Sequence, residues 1–280
     1  MDLDYEHKYL KYKKKYLDLK EYSGGGFFDF IFKQKGEFKV PRNIALDLVK
    51  HDGLILSLKY IRISKELQAD RYVVLEAIRQ NGLALQYASK ELQADKDVVL
   101  EAIRQNGLAL QYASKKLQAD KDVVLEAIRQ NGLALQYASL ELRADSEFIL
   151  EAVKEFSLTL QYASPELQND EEIVLAAVQQ NGHALKYASN KFQNDEKIVL
   201  VAVQQNGYAL QYASKELRAN KEVVIAAVKE NNNALQLASD KLKNDIDVIQ
   251  AYKKGVEKLK MKDQMMWMNM KKKNKNNKLY

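Results

Sequence analysis

Apolar positions along this chain fall at helical spacing, and the same spacing then recurs. In Arg71-Tyr-Val-Val-Leu-Glu-Ala-Ile-Arg-Gln80, the residues Val74, Ala77 and Ile78 sit at i, i+3 and i+4, which is one apolar helix face. Asp70 precedes the run as a short acceptor able to cap free amides at the positive end of the helix dipole. Asn81-Gly82 follows it, and a glycine at that point predicts a left-handed terminating residue. Residues 83–88 then read as a second, shorter helical piece. Ser89-Lys-Glu-Leu92 reads as a third turn capped by its serine. The counterpart Ser164-Pro165 agrees, because proline is favoured at the first helical position and costly deeper in a helix.

This pattern has a period of 25 residues. Gly82, Gly107, Gly132, Gly182 and Gly207 keep it, as do Tyr87, Tyr112, Tyr137, Tyr162, Tyr187 and Tyr212. Asp70, Asp95, Asp120, Asp145, Asp170 and Asp195 form a third series, continued by Asn220 and Asp245. A helical unit of this period predicts an all-α chain, a right-handed α-solenoid of 25-residue helical repeats with terminal caps. One unit cannot fold alone. Burying its large apolar side chains yields roughly 10–20 kcal/mol, against about 25–50 kcal/mol to order its backbone. Stacking closes the deficit, and the stack would be a curved rod roughly 60–70 Å long.

The expected organisation is a Lys/Tyr-rich helix and glycine linker at 1–26, then a cap with a degenerate first repeat at 27–69. Seven tandem repeats follow at 70–244, then a capping helix at 245–262 and a Met/Lys-rich tail at 263–280. Tyr5, Tyr9, Tyr12, Tyr16 and Leu19 mark one face of the first segment, suited to docking or to lying on the array. The cluster at 27–32 holds four of the eight phenylalanines and reads as a cover for the first repeat. The stretch from Arg42 aligns with Arg71 but sits 29 residues earlier, so about four residues are inserted near Leu58. Unit four carries Phe156-Ser157 in place of Asn-Gly. A serine forced into a left-handed position is strained, so a kink is expected there.

Net charge changes the picture once it is divided. The whole chain is +6, but residues 252–280 hold ten lysines against Glu257 and Asp263, and 41–251 is mildly acidic at −4. A nucleic-acid-binding solenoid would need a basic groove, so the array itself does not read as one. The tail, with Lys271, Lys272, Lys273, Lys275 and Lys278, has the charge to hold nucleic acid or an anionic surface. There is no cysteine, and no apolar run reaches the eighteen or so residues of a membrane span. The N-terminus lacks the apolar core of a secretory signal.

Candidate chemistry is sparse. Glu76/Glu101/Glu126 stand beside Arg79/Arg104/Arg129 at i, i+3, which reads as exposed ion pairs rather than acid–base machinery. His183 has no histidine, cysteine or spaced carboxylate partner, the other histidines being His7 and His51. The expectation is therefore no catalytic residue, no cofactor and no metal. The position after the glycine is leucine through Leu158 and then becomes His183, Tyr208 and Asn233. A variable position on a constant scaffold is where a binding ridge would form, so Leu158, His183, Tyr208 and Asn233 are the candidate partner-binding residues.

The unit Asp-x-x-Val-Val-Leu-x-Ala-Val/Ile-x-Gln-Asn-Gly-x-Ala-Leu-x-Tyr-Ala-Ser resembles the repeat called domain of unknown function 4116, over roughly 70–245. Such repeats are frequent in giant DNA viruses and also occur in protists and bacteria. The head, Tyr9-Leu-Lys-Tyr-Lys-Lys-Lys-Tyr-Leu-Asp-Leu-Lys20, is similar to N-terminal segments of mimivirus-like proteins. The resemblance transfers no catalytic residue. It implies a viral protein located inside the cell, in host cytoplasm or virion, and not secreted. The function expected is a non-enzymatic scaffold, monomeric and binding another protein through its solenoid surface. The competing expectation is an anchor that works through the Lys-rich tail.

Overall fold

The computed structural model describes Arg42, Ala45, Leu46, Lys50 and residues 65–276. The Tyr-bearing face of 1–26, the phenylalanine cluster and the four-residue insertion near Leu58 lie outside the described residues. Every regular element among the described residues is helical, and they include no strand. The chain forms two compact units, Met1–Gln105 and Asn106–Tyr280.

Each 25-residue period contains a long α-helix, a 3-10 helix and a short third turn, which is 3-10 at Leu167–Asn169 and Leu217–Ala219 and α-helical in the other periods. In the period beginning at Asp120 they are the α-helix Lys121–Gln130, the 3-10 helix Gly132–Tyr137 and the short α-helix Leu140–Arg143. The long helix starts where Asp120 accepts a hydrogen bond from the Val123 amide. Asp70, Asp95, Asp145, Asp170 and Asp195 make the equivalent cap, and Asn220 makes it with a neutral side chain. Val123, Val124, Ala127 and Ile128 are buried on one face, joined by Ala134, Leu135, Ala138 and Leu142. The small residues at 127, 134 and 138 let three elements of one period approach closely. Position 92 is leucine in most periods and becomes the fully buried Phe192 in the fifth.

The turn after the long helix departs from the expected one. Asn131 ends Lys121–Gln130 in an extended conformation (φ −158°, ψ 110°), and its side chain accepts from the Leu133 amide to cap the 3-10 helix. Asparagine therefore makes the corner, and the glycine after it is not left-handed. What requires the glycine is closeness. A Cβ on Gly182 would strike the Ala202 carbonyl oxygen of the next period, with the carbonyl carbon at 3.0 Å. The strain expected at Ser157 is accordingly absent. Phe156 takes φ −147° and ψ 97°, extended like the asparagines, and Ser157 opens the 3-10 helix Ser157–Tyr162 in the usual place. The corner differs in its hydrogen bonds instead. Phe156 supplies no side-chain cap, the Thr159 hydroxyl donates to the Phe156 carbonyl, and Gln180 reaches across to the Lys154 carbonyl at 2.5 Å.

Successive periods are stitched through one backbone bond. Within Asn106–Tyr280 the amides of Ser139, Ser164, Ser189, Ser214 and Ser239 donate to the carbonyls of Gln118, Arg143, Gln168, Gln193 and Arg218 at 2.8–2.9 Å. Within Met1–Gln105, Ser89 donates likewise to Gln68. A glutamine inside each period closes the 3-10 helix, as Gln118 does by donating to the Leu110 and Gln111 carbonyls. Where arginine replaces it, at Arg143 and Arg218, the Nε is buried without a partner, and so are the hydroxyls of Ser164 and Ser239.

The array ends by exchanging its close-approach residue. Period seven has Asn232 where glycine stands in every period but the fourth, and the next helix answers with Gly255. A Cβ there would meet the Asn232 side chain, with Cγ at 2.9 Å. With its amide turned to suit both neighbours, Asn232 donates to the Val228 carbonyl (3.2 Å) and accepts from the Val256 amide (3.0 Å). That final helix is unbroken over Ile246–Asn276, continuing through the boundary expected at residue 262. Val248 and Ala251 anchor it, and every described side chain from Glu257 onward is exposed.

Candidate interaction surface

Two surfaces of the repeats and one helix offer themselves to a partner. The first is the corner where each 3-10 helix begins. In Asn106–Tyr280 consecutive 3-10 helices pack side by side, so Leu108, Leu133, Leu158, His183, Tyr208 and Asn233 recur at one place in each period. Leu158 and His183 are half-buried, whereas Tyr208 and Asn233 are exposed. His183 is engaged by the following period. Its Nδ1 lies 3.0 Å from the Asn206 side-chain nitrogen, and its ring meets Tyr212 edge-on at 5.9 Å. These four residues share a register but do not converge on a common cavity. Among the described residues, no group of three or more histidine, aspartate or glutamate side chains is arranged to hold a metal ion.

The second surface is the outer face of the long helices, which the sequence reading did not single out. Positions 75 and 76 of each period are half-buried or nearly so, and positions 72 and 79 are exposed. In the first periods this face is charged, with Glu76–Arg79 at 3.1 Å, Glu101–Arg104 at 3.8 Å and Glu126–Arg129 at 4.0 Å. From period five the glutamate is gone. The same position carries Ala176, Val201 and Ala226, beside Leu175, Leu200 and Ile225. Between Glu196–Gln205 and Lys221–Glu230 the face opens into a shallow cleft of about 600 Å³, lined by Leu200, Ile225 and Ala226 together with Gln204, Lys221, Glu222, Lys229 and Glu230. The signal was present in the sequence as an apolar residue where the four earlier units have glutamate.

Charge changes along the same helices. A basic residue at the first helical position pairs with the capping aspartate of the next period: Arg71 with Asp95, Lys121 with Asp145 (2.8 Å) and Lys221 with Asp245 (3.2 Å) and Asp247. Arg42 makes the same pair with Asp70, as expected from its alignment with Arg71. The Lys121 ammonium, hydrogen-bonded to Asp145, holds that carboxyl below the usual aspartate range, with the Phe148 amide helping. At periods five and six the basic residue is replaced by Glu171 and Glu196. These two helices and their caps carry Asp170, Glu171, Glu172, Asp195 and Glu196 against Lys197 alone.

The third feature is the distal part of the C-terminal helix, where Met261, Met265, Met266, Trp267 and Met270 are each more than half exposed. Lys271, Lys272, Lys273 and Lys275 follow on the same helix, and Lys278 lies outside the described residues. Among the described residues no helix is long and apolar enough to cross a membrane.

No curated protein and no solved structure matches the chain. A family profile matches at residues 42–93, 95–143, 145–193, 170–218 and 220–252. Two of these matches overlap with an offset of one 25-residue period, as expected when a profile of about two periods slides along a uniform array. These matches span most of the sequence, and the chain belongs to the family described as Domain of unknown function (DUF4116).

Proposed function

We propose that the protein is a non-enzymatic interaction scaffold, a right-handed α-solenoid that binds another protein through its repeat surface. One observation carries this reading: the core is constant in kind from period to period while the surface is not. Valine or isoleucine, alanine and leucine recur at the buried positions, whereas the outer face passes from Glu/Arg to Ala/Gln and the corner from leucine to His183, Tyr208 and Asn233. A repeat array can vary exposed positions without disturbing the contacts that hold it together. The displaced carboxyl at Asp145 belongs to a helix cap and an ion pair, which is a structural role.

The second reading, an anchor acting through the tail, is favoured by the ten lysines of 252–280. The test uses the full chain as bait, beside Tyr208→Ala/Asn233→Ala and a version with Lys271, Lys272, Lys273, Lys275 and Lys278 changed to glutamine. Eluates are assayed for protein and for nucleic acid. A specific protein lost with the corner substitutions, but kept by the tail version, supports the scaffold. Salt-sensitive capture lost only with the lysines overturns it in favour of the anchor.

A further inference from the structure

We infer that the Met-rich distal part of the C-terminal helix of one copy docks on the outer face of periods five to seven of a second copy. The inference deepens the scaffold reading, on which it rests, and departs from the monomer expected from sequence. Both surfaces lie in Asn106–Tyr280, and they are complementary in shape class and in charge.

The receiving face is apolar where its counterparts are charged. Leu175, Ala176, Leu200, Val201, Ile225 and Ala226 are all partly exposed, with no element among the described residues lying over them. The cleft at Leu200 and Ile225 is shallow and apolar at its centre, with Lys221/Glu222 and Lys229/Glu230 also lining it. The edge of this face at the helix N-termini is acidic. In period five Glu171 stands where Lys121 and Lys221 supply the cation for the next capping aspartate, here Asp195, and in period six Glu196 faces the neutral cap Asn220.

The incoming element has the opposite character. Met261/Met265 and Met266/Met270 are i, i+4 pairs on an unbroken helix, exposed between 53% and 63%, and at about 100° per residue the two pairs flank the helix rather than share one face. Unbranched thioether side chains adapt to irregular apolar grooves, and helix-in-groove binding reads anchors at this spacing. Lysines flank the methionines on both sides in the sequence, and 252–280 is net +8. The occupant is a second copy rather than the same chain because the helix does not turn. It runs from the docked Val248 to Asn276 without a break, and the 20 residues from Glu257 extend about 30 Å beyond the anchored segment. It therefore cannot return to periods five to seven of its own chain. A tail-on-face contact is heterologous, so it builds a closed ring of copies or an open chain of them.

Sedimentation velocity on the full chain, from low to high micromolar and at low and high salt, tests this. The weight-average mass should rise with concentration and fall with salt. The face variant Ala176→Glu/Val201→Glu/Ala226→Glu installs the residue that periods one to four carry at the same position, so the fold is retained. The tail variant is Met261→Lys/Met265→Lys/Met270→Lys. Each variant alone should be monomeric. Their equimolar mixture should form a dimer and nothing larger, since it contains one intact face and one intact tail. A monomeric wild type, association that survives either variant, or a mixture that stays monomeric overturns the proposal. A wild type that stays monomeric while its helix binds anionic vesicles or nucleic acid overturns it as well. A monomeric result leaves the protein-scaffold reading standing or falling on the capture experiment.

Discussion

The exchange of Asn232 and Gly255 makes a prediction in which one substitution changes sign with its background. In an ordinary helix interior Gly→Ala stabilises by about 1 kcal/mol. Gly255 is in the interior of Ile246–Asn276, but a Cβ there would meet the Asn232 side chain, with Cγ at 2.9 Å. Asn232 can yield only by leaving the Val228 carbonyl and the Val256 amide. Two net hydrogen bonds at about 0.5–1.5 kcal/mol each set the cost at about 1–3 kcal/mol. Gly255→Ala should therefore destabilise by about 1 kcal/mol after its helix-propensity gain is counted. With Asn232→Gly, which restores the residue of most periods, the same Gly255→Ala should stabilise by about 1 kcal/mol. The expected coupling, about 2 kcal/mol, is within the range for residues in contact. Urea denaturation followed by Trp267 fluorescence and far-UV circular dichroism measures all four corners of the cycle. Coupling below about 0.5 kcal/mol would refute the close-approach account of this position.

Two further predictions address the junctions between periods. Arg143→Gln and Arg218→Gln each replace a buried, unpartnered Nε by the side chain that elsewhere closes the 3-10 helix, as Gln168 does on Leu160. Each should stabilise by about 1 kcal/mol, read as a higher urea midpoint, and a lower midpoint would count against the assignment. At Asp145 the folded-state pKa is depressed, first by the hydrogen bond from Lys121. Its contribution is therefore full above the unfolded aspartate value, about 3.9, and disappears as pH falls through the folded value. Carboxyl NMR should show Asp145 titrating below that value and moving up in Lys121→Gln. An unchanged midpoint would remove Lys121 as the cause.

The array was readable because its determinants are local. A capping aspartate, an apolar face at i, i+3 and i+4, and a serine before a short turn each act within a few residues, and the period multiplies the signal. The glycine was assigned the wrong physics because one residue type serves two purposes. A left-handed corner and a close approach look identical until the opposing atom is known, and here it is the Ala202 carbonyl, 20 residues on from Gly182. His183 was placed in its corner correctly, but its engagement with Asn206 and Tyr212 spans 23 and 29 residues and leaves no local trace. The outer face was legible and overlooked. Alanine at 176 and 226 reads as an ordinary helix former, and its meaning emerges only against Glu76, Glu101, Glu126 and Glu151 in the same register.

Energetics explain why that face can change while the array persists. The Glu–Arg pairs of periods one to three are exposed i, i+3 pairs, and Arg129–Glu126 at 4.0 Å is at the limit of an ion pair. Each contributes a few tenths of a kcal/mol. Replacing the glutamate by Ala176 or Ala226 loses about that much and gains a little in helix propensity, so folding is nearly indifferent to the exchange. The core positions have no such freedom, since Val174, Ala177, Val199 and Ala202 are fully buried between neighbours. Stability thus holds the interior of each period fixed and leaves the outer face to respond to other pressures. Ala176, Val201 and Ala226 stand where earlier periods have glutamate, and Glu171 and Glu196 stand where periods one to three and seven have a cation. The three apolar residues lie in one register on consecutive helices, so the docking proposed above requires only changes that folding tolerates at little cost.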